Sequence, residues 1–440
     1  METDPMQPQQ ADPIAQLLAG SYPDPDGSGQ LGVTTKSLTI APSLRDMEKE
    51  LVKGLDFGRR LAIVSDFRTH HVLGDRIEAA LRGAYAVHSI VFPGTPHPDD
   101  ATVAKLREET KEDDALIAVG SGTLNDLCKY ASAKDGKPYA VFATAPSMNG
   151  YTSLNAAITM HGHKMSLAAH APKGAFFDLS VLSQAPLRLI RAGLGDSLCR
   201  ATSQADWLLA HLLLGKPYRE LPYALLAGDE TPLFDNAKAL VSGDTEVMER
   251  LVRTLILSGF GTAIVGNSQP ASQGEHLISH FIDMFEPEGR PLVYHGEQVG
   301  VTTLSMARLQ DQLLKHLPLV TPDTDTQKDF LARYGEELGQ SCWQEFAQKK
   351  IDKMEADRLN HLIERNRDAI QTRIASISLS PRRLEEVLRV AGAPTIPAAI
   401  HLSEEFYGHA LTRCRDIRSR FTFLDVAAAS GSFARLASHL

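Results

Sequence analysis

Two imidazoles stand four positions apart in Glu275-His276-Leu277-Ile278-Ser279-His280, a spacing that on a helix puts both rings on one face, a turn apart. The segment lacks the glutamate that follows the first histidine in HExxH, so a zincin-type protease is disfavoured. A third histidine lies in Tyr294-His295-Gly296-Glu297, where a further helix should begin, and Asp196 lies in Gly193-Leu194-Gly195-Asp196-Ser197, which reads as a glycine-flanked helix start. One carboxylate and two imidazoles from separate helices, with an open coordination position, suit a catalytic divalent transition metal. The i,i+4 spacing also occurs, more often, in solvated or capped histidine pairs, and spacing alone leaves both readings open.

A second constellation is Ala115-Leu-Ile-Ala-Val119-Gly120-Ser121-Gly122-Thr123-Leu124-Asn125-Asp126, a buried strand running through a glycine turn into a helix. Backbone amides at such a helix start face an anion, and glycines let a pyrophosphate come close. The pattern departs from GxGxxG, because Asn125 stands at the third glycine. The acid that would hold a ribose, Asp66, precedes the loop rather than following it. The loop therefore reads either as a phosphate cradle in a different chain order or as a tight strand-to-helix turn. The next strand ends in Thr144-Ala-Pro-Ser147-Met-Asn149-Gly-Tyr-Thr-Ser153, small hydroxyl residues at the carboxyl end of a strand, where open α/β sheets bind ligands; an ordinary polar loop would look the same.

The elements that must hold these residues change in kind along the chain. From about residue 33 to 190, short β-branched runs alternate with amphipathic stretches, as βαβ units do. Strands are expected at 60–64, 88–92, 115–119 and 139–142, with helices at 73–81, 100–111 and 127–133, forming an open and largely parallel sheet. From about 190 the period becomes 3.6 and strand signals nearly vanish. Helices are expected at 194–214, 232–248, 249–264, 275–285, 297–312, 325–348 and 380–390, the last started by Ser380-Pro381. The predicted organisation is a disordered tail over 1–30, an α/β Rossmann-like nucleotide domain over 31–190 and a helical metal- and substrate-binding domain over 191–440, with a cleft between the two domains.

Composition narrows the function classes. The 440 residues carry 45 Lys+Arg against 54 Asp+Glu, a net charge of −9, and are 43% hydrophobic and 22% charged. This is a globular composition rather than a disordered one, and its acidic balance disfavours nucleic acid as a partner. No apolar run approaches the roughly 18 residues of a membrane span, and Met1–Gln10 lacks the basic start and apolar segment of a secretory signal. Cys128, Cys199, Cys342 and Cys414 are scattered without CxxC, which fits free thiols in a reducing compartment. A cytoplasmic protein without membrane insertion is the expectation.

Seven segments, GSGTLND (120–126), TAPSMNGYTS (144–153), AGLGDSLC (192–199), ADWLLAHLLLG (205–215), GEHLISH (274–280), HGEQVG (295–300) and IRSRFTFLDVA (417–427), together resemble the sn-glycerol-1-phosphate dehydrogenases. That family is part of the superfamily of iron-containing alcohol dehydrogenases and dehydroquinate synthases. The resemblance spans about residues 30–430 in consistent order. It implies the dehydroquinate synthase-like fold, an NAD(P)(H) cofactor and one divalent metal ion, usually zinc in the family, with nickel or iron as alternatives.

Carried over by motif, Asp66 would hold the adenosine ribose, and Gly122, Thr123, Leu124, Asn125 and Asp126 would contact the pyrophosphate. Thr144, Ser147 and Ser153 would line the nicotinamide side. Asp196, His276 and His295 would ligate the metal, with Asp196 also touching substrate, and His280 would face substrate and help move its hydroxyl proton. The implied reaction is reversible hydride transfer between dihydroxyacetone phosphate and sn-glycerol 1-phosphate, or a related polyol phosphate, in a homo-oligomeric enzyme. Asn149 occupies a substrate-loop position where the family carries Asp; Asn keeps an acceptor for a substrate hydroxyl but removes a negative charge close to a cation, which marks either a changed substrate or weaker activity on glycerol 1-phosphate. Lys164, His170 and Lys173 are further candidates for pairing with a phosphate. A cyclising lyase of the dehydroquinate synthase type is the alternative enzyme, distinguished by turnover without net NADH loss, and a non-catalytic binding subunit would hold no metal.

Overall fold

The computed structural model describes residues 12–160 and 163–433, with the side chains of 163 and 164 outside that description; the Lys164 candidate and residues 1–11 of the expected tail therefore fall outside the described residues. Within the rest of that tail, Pro13–Leu18 is a helix that buries Ile14 and Leu17. A two-residue ladder, β1 (Tyr22–Pro23) with β2 (Gln30–Leu31), follows it.

The central sheet has six parallel strands: β3 (Ser37–Ala41), β4 (Arg60–Asp66), β5 (Ala86–Phe92), β6 (Ala115–Gly120), β7 (Tyr139–Ala143) and β10 (Gly174–Asp178). Their order is β3-β10-β7-β6-β4-β5. A separate antiparallel hairpin joins β8 (Asn155–Met160) to β9 (His163–Ala168). Every residue of β6, β7 and β10 is buried, and alternate residues serve opposite faces. Ala62, Val64, Leu116, Ala118 and Val141 pack into one core, while Leu61, Ile63, Ile117, Val119 and Phe142 pack into another. The apolar runs read as continuous rather than alternating because helices cover both faces. The strands at β3 and β10 and the hairpin lie outside the strands expected from the text; β3 is a half-buried edge strand, whose burial pattern carries no period.

Beyond Asp178 the described residues form helices and loops without a strand, and no described helix is long and apolar enough to cross a membrane. Several expected helices are divided differently. The expected 194–214 helix is two, Leu187–Leu198 and Arg200–Leu214, meeting at Cys199. The expected break at 248/249 is absent: Thr245–Val265 is one helix started by Asp244, whose carboxylate accepts from the N–H groups of Glu246 and Val247, and the break falls instead at Gly243, φ 89°. Gly335, φ 80°, splits the expected 325–348 helix into Gln327–Tyr334 and Glu336–Ala347. Such positive φ is a glycine conformation, so glycine sets these boundaries. Lys353–Ala375 is a helix the reading did not propose. Its buried Ala356, Leu359, Ile363, Ile370 and Ile374 recur at helical spacing within a strongly charged stretch.

Candidate metal and nucleotide site

Asp196, His276 and His295 converge from separate helices, with one ligand atom of each within 4.8 Å of the others. His276 Nε2 lies 3.9 Å and His295 Nε2 4.0 Å from Asp196 Oδ1. His276 is in the first turn of Gly274–Phe285, and His295 opens His295–Lys315, as its motif suggested. Asp196 is placed differently: it lies in the last turns of Leu187–Leu198, not at a helix start. The glycines beside it are not breaks. A Cβ at Gly193 would stand 1.7 Å from Pro146 O, one at Gly195 2.2 Å from Gly296 O, and one at Gly296 1.8 Å from Ala192 O. Gly195 and Gly296 thus surrender side chains where the two helices cross, Gly193 does so against the 144–153 loop, and the close helix crossing brings Asp196 and His295 together.

The polar surroundings orient each donor. Asp196 is fully buried; its Oδ2 accepts from Asn149 N–H at 2.7 Å, while its Oδ1, turned toward the two imidazoles, has no hydrogen-bond partner. Burial pushes the Asp196 carboxyl up, opposed by His276 and the Asn149 N–H. A buried carboxylate oxygen without a donor is costly unless a cation meets it, so the donor set of one carboxylate oxygen and two imidazole nitrogens fits a divalent ion. On the far side of His276, Nδ1 is 2.9 Å from Glu275 Oε1. Glu275 is itself held by the Gln273 N–H at 2.7 Å and the Thr202 hydroxyl at 3.0 Å. Burial raises the Glu275 carboxyl, but His276 and the Gln273 N–H outweigh it and hold the group below its ordinary value. Glu275 as an anion keeps the proton on Nδ1 and directs the Nε2 lone pair toward Asp196.

Cys199, Glu275 and His276 also lie close enough to share an ion. Burial pushes the Cys199 thiol up, however, and its Sγ donates to Ala271 O at 3.4 Å, while Glu275 is engaged with Nδ1. That grouping orients His276. His280 sits one turn on, half-buried, with its ring centroid 5.9 Å from that of His276 and 6.3 Å from that of His295.

The dinucleotide candidates gather at the carboxyl edge of the sheet. Asp66 ends β4, and its Oδ1 accepts from Arg68 N–H at 2.9 Å and Thr69 N–H at 2.8 Å. The Gly122–Asp135 helix starts directly after β6, and its starting residue, Ser121, makes no side-chain bond to the first turn, so the first N–H groups there have no intrahelical acceptor. Gly120 is set by proximity rather than by positive φ, since a Cβ there would stand 2.3 Å from the Leu124 side chain, whereas at Gly122 it would stand 3.3 Å from the flexible Met148 side chain. Thr123 is half-buried, Leu124 and Asn125 are buried, and Asp126 turns away, its Oδ2 accepting from Ala157 N–H at 3.1 Å. Thr144 N–H donates to Gly120 O at 3.1 Å, which joins the two loops. Ser147 is buried, and the Ser153 hydroxyl lies 3.0 Å from Gly150 O. Asn149 is half-buried, and its backbone N–H reaches Asp196. The 144–153 loop thus touches both the glycine turn and the carboxylate.

Two further candidates do not join this group. Lys173 precedes β10, with its N–H on Tyr139 O at 2.8 Å, and His170 packs on the Tyr139 ring at 5.5 Å. Both sit at the amino edge of the sheet, because parallel strands put the residue before a strand at the end opposite the carboxyl-edge loops. The sequence reading also missed three orienting groups. Glu275 was visible as the neighbour of His276. Arg188 ties the start of the Asp196 helix to Glu297 at 2.8 and 2.7 Å, a pairing of residues 109 apart with no local signal. Lys129 lies two turns into the glycine-loop helix with no exposed surface, and only the fold reveals what it reaches.

Comparison with known proteins agrees with this arrangement. The family description "iron-containing alcohol dehydrogenase" matches residues 39–186. Glycerol-1-phosphate dehydrogenase [NAD(P)+] of Pyrococcus furiosus is 34% identical over 259 residues, 59% of this chain and 74% of that one. The protein of the same name from Bacillus velezensis is 30% identical over 363 residues, 77% and 90% of the two chains. Among solved structures, the iron-containing alcohol dehydrogenase of Thermococcus thioreducens superposes with a TM-score of 0.60 at 14% identity, covering 93% and 99%. A probable glycerol dehydrogenase from Sinorhizobium meliloti does so with 0.59 at 16%, covering 90% and 96%; at such identities the likeness establishes the fold. The relatives do not favour the cyclising lyase. A parallel α/β sheet, a helical half that carries the Asp-His-His cluster, and relatives that cover most of their own length place this chain in the glycerol-1-phosphate dehydrogenase family.

Proposed function

We propose that this protein is an NAD(P)-dependent, metal-dependent oxidoreductase that reduces dihydroxyacetone phosphate to sn-glycerol 1-phosphate, reversibly. The observation that carries the reading is Asp196 Oδ1, buried without a donor and within 4.0 Å of the Nε2 atoms of both His276 and His295. Asp196, His276 and His295 would hold a divalent ion, zinc by preference with nickel or iron as alternatives; the ion would supply Lewis acidity at the carbonyl oxygen and the dinucleotide would supply the hydride.

The chain's own residues do the rest. Glu275 keeps the proton on His276 Nδ1, so that Nε2 faces the centre with its lone pair. Asn149 fixes the Asp196 carboxylate through its N–H and offers its side-chain oxygen to a substrate hydroxyl. His280 donates a proton to the oxygen that becomes the C2 hydroxyl, and takes it back in the reverse direction. Asp66 holds the adenosine ribose, the first-turn amides of Gly122 to Asp126 receive the pyrophosphate, and Thr144, Ser147 and Ser153 keep the nicotinamide side in register with the substrate, which supplies the orientation that hydride transfer needs. The active form is a homo-oligomer in the cytoplasm.

The test is a panel of phosphorylated ketones assayed with NADH and with NADPH on protein of measured metal content. Stoichiometric loss of reduced cofactor with dihydroxyacetone phosphate is expected, and Asp196→Ala or His276→Ala should remove metal and activity together. Turnover without net cofactor loss, or full activity in a metal-free Asp196→Ala protein, would overturn the reading.

A further inference from the structure

Lys129 is a cation with no exposed surface and, among the described residues, no carboxylate within hydrogen-bond reach. Its Nζ donates to Gly150 O at 2.5 Å, to Asn155 O at 3.1 Å and to Ser153 Oγ at 3.3 Å. Burial lowers its pKa to about 8, opposed by the charge of Asp126 on the same helix. A buried ammonium held only by neutral oxygens is expensive, and sheet packing does not explain it, because a Met or Leu would fill that volume at lower cost. What the three oxygens share is their position: all belong to residues 150–155, the end of the 144–153 loop and the start of β8. Immediately before them, Asn149 N–H donates to Asp196 Oδ2 at 2.7 Å. Lys129 itself stands on Gly122–Asp135, the helix whose first turn faces the nucleotide candidates.

We propose that Lys129 is a positioning residue that fastens the substrate loop to the nucleotide helix through the Gly150 carbonyl and Ser153, and so fixes the Asn149 N–H that orients the Asp196 carboxylate. The proposal rests on the function proposed above for this same site. Three oxygens converging on one buried nitrogen define where the 149–153 backbone sits. Without that nitrogen, Gly150 O and Asn155 O would have to share the single Ser153 hydroxyl proton, at 3.0 and 3.1 Å, with only a long 3.4 Å Ser153 N–H contact to Gly150 O besides, and the loop would shift to find water or another partner. Asp196 would then lose the N–H that fixes its rotamer, and its Oδ1 would leave the line toward His276 and His295. The nucleotide contacts in the first turn of the helix lie before Lys129 and would be unaffected.

The test compares wild type with Lys129→Met, which keeps most of the volume and removes the donor, on full-length protein. Zinc affinity is read by competition with a chromogenic chelator, NADH binding by fluorescence, and reduction kinetics at saturating zinc. The expected result is a zinc affinity at least about tenfold weaker and a kcat at least about tenfold lower, with the NADH dissociation constant changed less than about threefold. Zinc affinity and kcat both within twofold of wild type would overturn the proposal, as would equal losses in all three readouts, which mark general unfolding. Should the Met protein not fold, Lys129→Ala is assayed with and without ethylammonium. Recovery of zinc affinity with the amine supports the positioning role, and no recovery overturns it. Absence of dihydroxyacetone phosphate reduction by wild type defeats the functional reading, whereas the zinc and NADH arms still decide the role of Lys129.

Discussion

Gly296→Ala is the substitution in which the geometry commits itself most. The added Cβ would stand 1.8 Å from Ala192 O and 2.5 Å from Ala192 C, which leaves it about 1.6 Å short of the 3.4 Å at which ordinary contact begins. The obstacle is backbone, so no rotamer change relieves it, and the helices Leu187–Leu198 and His295–Lys315 must part. His295 is the neighbouring residue, and imidazole-to-metal distances tolerate only about 0.2 Å. A separation on the order of 1 Å therefore costs His295 as a ligand even when the fold survives. The packing penalty alone should be about 1–3 kcal/mol, and ion affinity should fall on the order of 10–100-fold or more. The assay is zinc affinity by chelator competition, together with the rise in melting temperature on adding zinc, which tracks binding to the native state alone. Gly408→Ala is the control: it lies within the Glu404–Arg413 helix with nothing within 4 Å of its Cβ, and it should be neutral or slightly stabilising. Wild-type zinc affinity in Gly296→Ala would refute the claim that these glycines set the distance between Asp196 and His295.

Three other outcomes are expected. Glu275→Gln removes the charge that holds the proton on His276 Nδ1 and should weaken ion binding about 10–100-fold; unchanged affinity in the chelator assay would show that Glu275 is only a packing group. Asn149→Asp restores a negative charge beside Asp196 and should raise turnover of dihydroxyacetone phosphate, and equal or lower kcat would count against Asn149 as the residue that changed the substrate loop. For Lys129, the unfolded value of 10.5 lies above the folded value of about 8, so between those pH values the unfolded chain binds more protons and the penalty for burying the charge is relieved as pH rises. At 1.36 kcal/mol per pH unit the relief is at most about 3 kcal/mol. Wild type should accordingly gain stability relative to Lys129→Met from pH 8 to 10.5 in denaturant melts, and parallel curves would show that burial does not lower the Lys129 pKa.

Much of the outcome was already written in local sequence. Short, continuous apolar runs at 60–64, 115–119 and 139–142 become buried parallel strands, because a strand covered on both faces needs no polar residues. The 275–285 and 380–390 helices survive nearly unchanged, since an apolar face at 3.6 spacing and a Ser-Pro start act within a few residues. The Asp-His-His triad and the glycine turn could be named because residue type and motif order carry that chemistry without a fold. What only the tertiary structure decided is distance. Gly193 and Gly195 read as the flanks of a helix start, yet Gly195 and Gly296 are where two helices touch backbone to backbone, and Gly193 is where the first of them meets the Pro146 carbonyl. His170 and Lys173 read either as phosphate partners or as surface charges, and strand direction carries them to the opposite edge of the sheet from the nucleotide candidates. Lys129 drew no reading from the sequence, yet it is buried against residues more than twenty positions away. Composition and periodicity act over a turn or a strand, whereas the alignment of a carboxylate oxygen with two imidazoles is fixed by contacts between residues 80 to 100 apart, and no local pattern encodes those.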